Sequence, residues 1–295
     1  MSTSKTKSIW LVVVTTALAM IAFAANSVLG RLALGGAESD ALSYTTIRLV
    51  SAAIMLAIIF VFRGRSDRKL SPDWLSAFML FGYALAFSLA YLRLETGMGA
   101  LILFGVVQLT MIGWAVVSGE GLTLLAWCGV IMAFGAFVYL MSPGLEAPDM
   151  WGAGLMVFSG LCWGVYSLLG RGSGDPLART ASNFLYSIIF MGAALGTYLM
   201  VLAGSLSINV KGAVLAILSG AVTSGLGYVI WYAALKDLTA ARAGIVQLSV
   251  PIIAAFGGVI FVSEPLTTRL SLSALFVLGG IALTMLPKTK THHTN

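Results

Sequence analysis

Arg48 sits about seven residues, or ~10 Å of helix, inside an otherwise apolar run, between Ile47 and Leu49. A guanidinium at that depth either snorkels back to water on its long stem, or it binds a carboxylate or organises the outer gate; both readings stay open. Further along, Gly244, Gln247 and Pro251 fall at i, i+3 and i+7 and share one helix face. Pro251 cannot donate to the carbonyl four residues back, which is that of Gln247. Gln247 therefore offers an amide and a freed carbonyl at one depth, with Gly244 and Pro251 as kink positions, and Gln108 has a similar depth. Trp163 and Tyr166 are i, i+3, while Tyr228, Trp231 and Tyr232 are i, i+3, i+4 with Ser224 one turn before. Such groups bind and orient a solute. They also serve plain packing or interface belts, toward which Trp231 and Tyr232 lean.

The groups that make and break bonds are displaced to the margins. All eleven acidic residues fall between the apolar runs or at their ends, and both histidines, His292 and His293, lie in the tail. Cys128 and Cys162 stand in apolar surroundings, so neither a disulfide framework nor a cysteine metal site is expected. No Gly-Lys-Ser/Thr nucleotide loop is present. We expect no cofactor and no metal. An intramembrane enzyme, which needs a buried catalytic constellation, and a channel, which needs a charge ring or filter, are disfavoured.

The elements that hold these residues are membrane spans. Of 295 residues 59 % are hydrophobic and 9 % charged, too few charges to coat a soluble surface, and the mean hydropathy is +0.98. The basic residues behind the net charge of +6 are scattered singly, which speaks against nucleic acid. Runs of about 20 apolar residues predict ten helices, at 9–34, 41–62, 74–94, 96–117, 122–141, 150–170, 178–203, 212–235, 239–262 and 270–286. The first also resembles a signal peptide, with a small-x-small site at Ala22-Phe23-Ala24, but its apolar stretch runs on to Leu34. With the N-terminus inside, twelve basic residues (Lys5, Lys7, Arg63, Arg65, Arg68, Lys69, Arg171, Arg179, Lys236, Arg242, Lys288 and Lys290) face the cytoplasm against four outside (Arg31, Arg93, Lys211 and Arg269). Both termini are expected in the cytoplasm, the chain lying in the inner, cytoplasmic membrane. Arg31 and Arg171 end their helices, where a cation suits the helix dipole. Small residues in Gly192-Ala193-Ala194 and Gly279-Gly280 predict close helix crossings.

The spans repeat. Ser27-Val28-Leu29-Gly30-Arg31 recurs as Ser167-Leu168-Leu169-Gly170-Arg171, and Ser43-Tyr44 corresponds to Ser182-Asn183. Glu120-Gly121-Leu122-Thr123 recurs as Glu264-Pro265-Leu266-Thr267. The offsets, 140, 139 and 144 residues, place Asn26 opposite Tyr166 and Asn183 opposite Tyr44, which makes Asn26 and Asn183 candidate polar contacts. Five spans per half is odd, so the second half (146–295) enters the membrane upside down relative to the first (1–145). The expected fold is an all-α integral membrane protein of two inverted five-helix repeats, an architecture suited to alternating access.

Ten spans as five plus five, Arg48 early in span 2, Pro251 within span 9 and the Ser/Gly-Glu-x-Leu-Thr turns together resemble the EamA family of the drug/metabolite transporter superfamily. The resemblance runs from about Ile9 to Leu286. One departure is Val107, which stands where the second half has Pro251. The resemblance implies a metabolite or amino-acid carrier, often an exporter, with a central cavity lined by spans 1–4 and 6–9; its partners would be a small solute and lipid. A carrier of larger aromatic or cationic compounds is the alternative. Without a mid-membrane acid, a facilitator or exchanger is expected rather than a proton-driven pump.

Overall fold

The structure, a computed structural model, describes residues 9–63, 73–119, 121–144, 146–170, 175–238 and 240–285. Lys5, Lys7, Arg65, Arg68, Lys69, Glu120, Arg171, Lys288, Lys290 and the tail histidines lie outside them. Regular structure among the described residues is helical: α1 (Ile9–Leu34), α2 (Ala41–Phe62), α3 (Trp74–Tyr91), α4 (Thr96–Val117), α5 (Leu124–Met141), α6 (Met150–Leu169), α7 (Pro176–Met200), α8 (Val210–Leu235), α9 (Ala240–Gln247, Ser249–Gly257 and Gly258–Val262) and α10 (Thr268–Thr284). Nine are long and apolar enough to cross a membrane and α10 is a 17-residue apolar helix. Large side chains such as Ile131, Phe134, Trp151, Phe261 and Leu275 face outward, which suits lipid and not water.

Polar residues between the runs start the helices. Asp40, Asp73, Thr123, Asp149, Asp175, Asn209 and Thr267 each accept a backbone N–H of the first turn they precede, satisfying donors that lipid cannot. α7 starts at Pro176, two residues ahead of the expected 178, capped by Asp175, and the missing N–H of Pro176 costs nothing in the first turn. α3 ends at Tyr91, short of the expected Leu94.

Two helices are irregular. In α8 the residues Leu218–Leu226 form a wide π-type coil, a form that collects at functional sites. α9 breaks at Leu248 between Gln247 and Ser249, as the lost Pro251 donor requires.

Packing between the halves maps onto itself when helices 1–5 are exchanged for 6–10. α2 packs on α7, α4 on α9 and α5 on α10; α6 lies against α3 and α4, as α1 lies against α8 and α9. This exchange relation, with an odd number of helices per half, is the inverted two-repeat fold. At the α5–α10 crossing, Gly129 meets Gly280 backbone to backbone, and a Cβ on either would strike the other's carbonyl. Gly192 borders open space and Gly279 has only an ordinary contact with Met132, so of the three glycines in the expected small-residue stretches only Gly280 makes a close crossing: the spacing marks a face but not its partner.

Candidate functional site

A cavity of about 930 Å³ lies between the halves, walled by α1, α3, α4 and α6–α9, with the end of α10 at its rim. It brings together Asn26, Gln108, Trp163, Tyr166, Ser224, Tyr228, Trp231, Gly244 and Gln247. Arg48, Asn183 and Pro251 are not on its surface. Gln247 donates from Nε2 to the Ala243 carbonyl at 3.3 Å, which leaves its side-chain oxygen for the hollow.

Aromatic rings form most of one wall. Trp163 stacks on Tyr166 (centroids 5.2 Å apart) and tilts against Tyr83 (4.7 Å) and Tyr228 (5.3 Å). Phe23 touches both Tyr228 and Trp231, at 5.7 and 5.9 Å. Trp231 and Tyr232 thus line the hollow from α8 and do not sit in a lipid belt. Rings at these separations hold each other firmly and present broad apolar faces.

Behind the rings lies a buried polar chain. Asn26 Oδ1 accepts from Ser219 at 2.6 Å and Thr223 at 3.3 Å, and its Nδ2 donates to the Tyr83 hydroxyl at 3.4 Å. Arg48 Nη2 donates to the same hydroxyl at 2.8 Å, and the guanidinium lies over Tyr83 and Phe87, 5.2 and 4.7 Å from the ring centroids. Arg48 is only 2 % exposed, with Nε and Nη1 lacking partners. Arg48 does not snorkel, and it stands one ring behind the cavity wall and not on it. Its depth could be read along the helix, but its face could not, because the neighbouring α3 rings decide it. Asn183 plays the matching part in the second half, donating to the Tyr166 hydroxyl at 3.4 Å from behind. Here the wide coil of α8 matters, because it turns Ser219, Thr223 and Ser224 inward together.

The two ends of the molecule differ. At the end where α1 and α3 finish, Glu264 accepts from Arg31 Nε at 2.9 Å and caps α4 through the Thr96 N–H at 2.8 Å. Lys211 pairs with Glu38 at 2.7 Å, Asp40 exchanges hydrogen bonds with Ser207, and Arg269 donates to the Ser142 carbonyl at 2.6 Å. Each tie crosses from one half to the other. Hydrogen bonds from Lys211 and Asn209 hold the Glu38 carboxyl below its usual range. Glu95 is pushed up by burial and by Glu264. Toward the opposite end the cavity runs out past Arg179, Leu235 and Lys236. There Arg179 donates to Asp73 and Ser76, both at 2.9 Å. Burial raises the Asp73 carboxyl, but Ser76 and Arg179 outweigh it and the net shift is downward.

Reading the sequence missed Phe23, Tyr83, Phe87, Thr223, Arg179 and Lys236. Phe23 lies 140 residues before Trp163, so the repeat offset applied to that tryptophan finds it; Tyr83 lies 140 before Thr223, which pairs two missed residues with each other and reveals neither. Arg179 and Lys236 carried no signal beyond their charge at a span end.

The EamA-like transporter family matches residues 150–286. An uncharacterized protein of Pseudomonas aeruginosa is 48 % identical over 273 residues, 92 % of this chain and 94 % of its own length. Uncharacterized transporters of Archaeoglobus fulgidus (24 % identical, 81 % of this chain and 87 % of theirs) and Bacillus subtilis (25 %, 69 % and 71 %) are also similar. A crystal structure at 16 % identity shares the fold with a TM-score of 0.67, covering 96 % of this chain and 99 % of that one. The likeness therefore extends over both halves, and the chain belongs to the EamA-like transporter family: it is a multi-pass membrane transporter of the drug/metabolite type and not an enzyme.

Proposed function

We propose that the protein is a secondary carrier that moves a small amphiphilic metabolite, an amino acid or a relative of one, out of the cell by alternating access between halves 1–145 and 146–295. One observation carries this reading: a cavity between the halves reaches one end of the molecule, while the other end is tied shut across the halves. A hollow that reaches one face only is a carrier state and not a pore. The distribution of basic residues assigns the wide end, with Arg179 and Lys236, to the cytoplasm and both termini with it, so this is the inward-facing state of a protein in the cytoplasmic membrane. Lining by aromatic walls with a few directed polar groups fits a compact amphiphile. It also fits the runner-up, a carrier of aromatic cations, but no carboxylate among the described residues lines the hollow to hold one. Purified protein in liposomes, offered a mixed pool of labelled metabolites, should take up at least one saturably and faster when the same solute is preloaded inside. Ser224→Trp, which fills the hollow, should stop it. If no solute in the pool shows this trans-acceleration, the carrier reading fails.

A further inference from the structure

The polar chain behind the aromatic wall has a direction. A phenol has one proton to give and two lone pairs. The Tyr83 hydroxyl accepts from Arg48 Nη2 at 2.8 Å and from Asn26 Nδ2 at 3.4 Å. Its own proton has no acceptor among the described residues, and Tyr83 lines the cavity. The orientation of Asn26 is fixed, because its oxygen takes protons from Ser219 and Thr223. Arg48 is always protonated, and no acidic side chain pairs with it. It lies one ring behind the wall with two nitrogens unpartnered. A positive charge polarises the phenol toward the hollow, in a low-dielectric setting where such fields are strong. The mouth adds Lys236, and among the described residues no Asp or Glu lines the cavity to offset either charge.

Resting on the carrier reading, we infer that the cargo is a net anion: a small carboxylate with an apolar or aromatic body, received by the Tyr83 hydroxyl under the charge of Arg48. Arg48 is a positioning residue that acts through Tyr83. An ammonium group would face a positive field with no carboxylate among the described lining residues to hold it, so within the carrier reading the anionic relatives of amino acids are favoured over the zwitterionic amino acids, and a cation is disfavoured. The inference also supplies a driving force. With no acid in mid-membrane to bring a proton, the carrier takes the anion alone, and an interior-negative membrane potential drives one negative charge outward by about fifty-fold in concentration per 100 mV.

Three probes share one ring and differ in charge: phenylpyruvate, phenylalanine and phenethylamine. In liposomes clamped with a potassium diffusion potential, wild-type protein should carry phenylpyruvate at least tenfold better than either of the others. Its steady gradient should approach fifty-fold per 100 mV. Arg48→Gln should erase the anion's advantage, Arg48→Lys should keep the order of the probes, and Tyr83→Phe should weaken phenylpyruvate affinity without changing that order. A merely structural Arg48 would lower all three fluxes together. If Arg48→Gln fails to fold, the wild-type order and Tyr83→Phe decide. Exchange of phenylalanine or phenethylamine in preference to phenylpyruvate, failure of all three, or phenylpyruvate flux indifferent to the potential overturns the inference. The carrier reading stands or falls separately, on trans-acceleration in the mixed pool.

Discussion

Asn26 carries more of the site than its size implies, since one amide organises α1, α3 and α8 through three hydrogen bonds. Replacing it with alanine leaves the buried Ser219 hydroxyl without an acceptor, a loss of about 1–3 kcal/mol, and frees Tyr83 to turn. We expect Asn26→Ala to lower the melting temperature in detergent by several degrees and to cut transport further than that instability explains. An unchanged melting curve would show that water replaces the amide. The choice of Asn26 was legible from the repeat, because its partner by offset is Tyr166. Its chemistry was not, since Ser219 lies 193 residues away and only the folded wide coil of α8 delivers it.

At the scale of elements, span limits were readable because the chain marks them with capping residues and charges, as at Asp40, Asp73 and Asp149. The break at Gln247 was readable from Pro251. The wide coil of α8 was not: nothing in its sequence Leu-Ser-Gly-Ala-Val-Thr-Ser-Gly-Leu forbids an ordinary helix, and its shape depends on the fit to α2. There Gly220 lies on the Arg48 carbonyl and Ser51, where any Cβ would collide with backbone. Gly220→Ala should therefore cost about 1–3 kcal/mol as α2 and α8 separate, read as a lower melting temperature; a neutral result would mean that the crossing has slack. Pro251→Ala gives back the donor for the Gln247 carbonyl and should straighten α9. We expect slower exchange with equal or higher thermal stability. Faster exchange would remove Pro251 from the gating machinery.

For the whole molecule, the cross-half ties at the Arg31 end hold that end shut. In a background lacking Cys128 and Cys162, Ser27→Cys places a label inside the cavity. A membrane-impermeant maleimide added from outside should leave it untouched until Glu264→Gln breaks the links to Arg31 and Thr96; equal labelling in both would show that Glu264 is no latch. At the other end the sign of the Asp73 shift sets the pH response. Its depressed carboxyl keeps the Arg179 tie present above the ordinary carboxylate value and loses it only as pH falls on through the lowered one. Melting temperature should therefore not change from pH 5 to 8 through this tie, and should drop only in stronger acid; Asp73→Asn should flatten that drop. The closed outer face has a pharmacological corollary under the proposed orientation. A blocker dissolved in the growth medium meets no doorway on the resting protein, so drugs or selected nanobodies against it have to act from the cytosol.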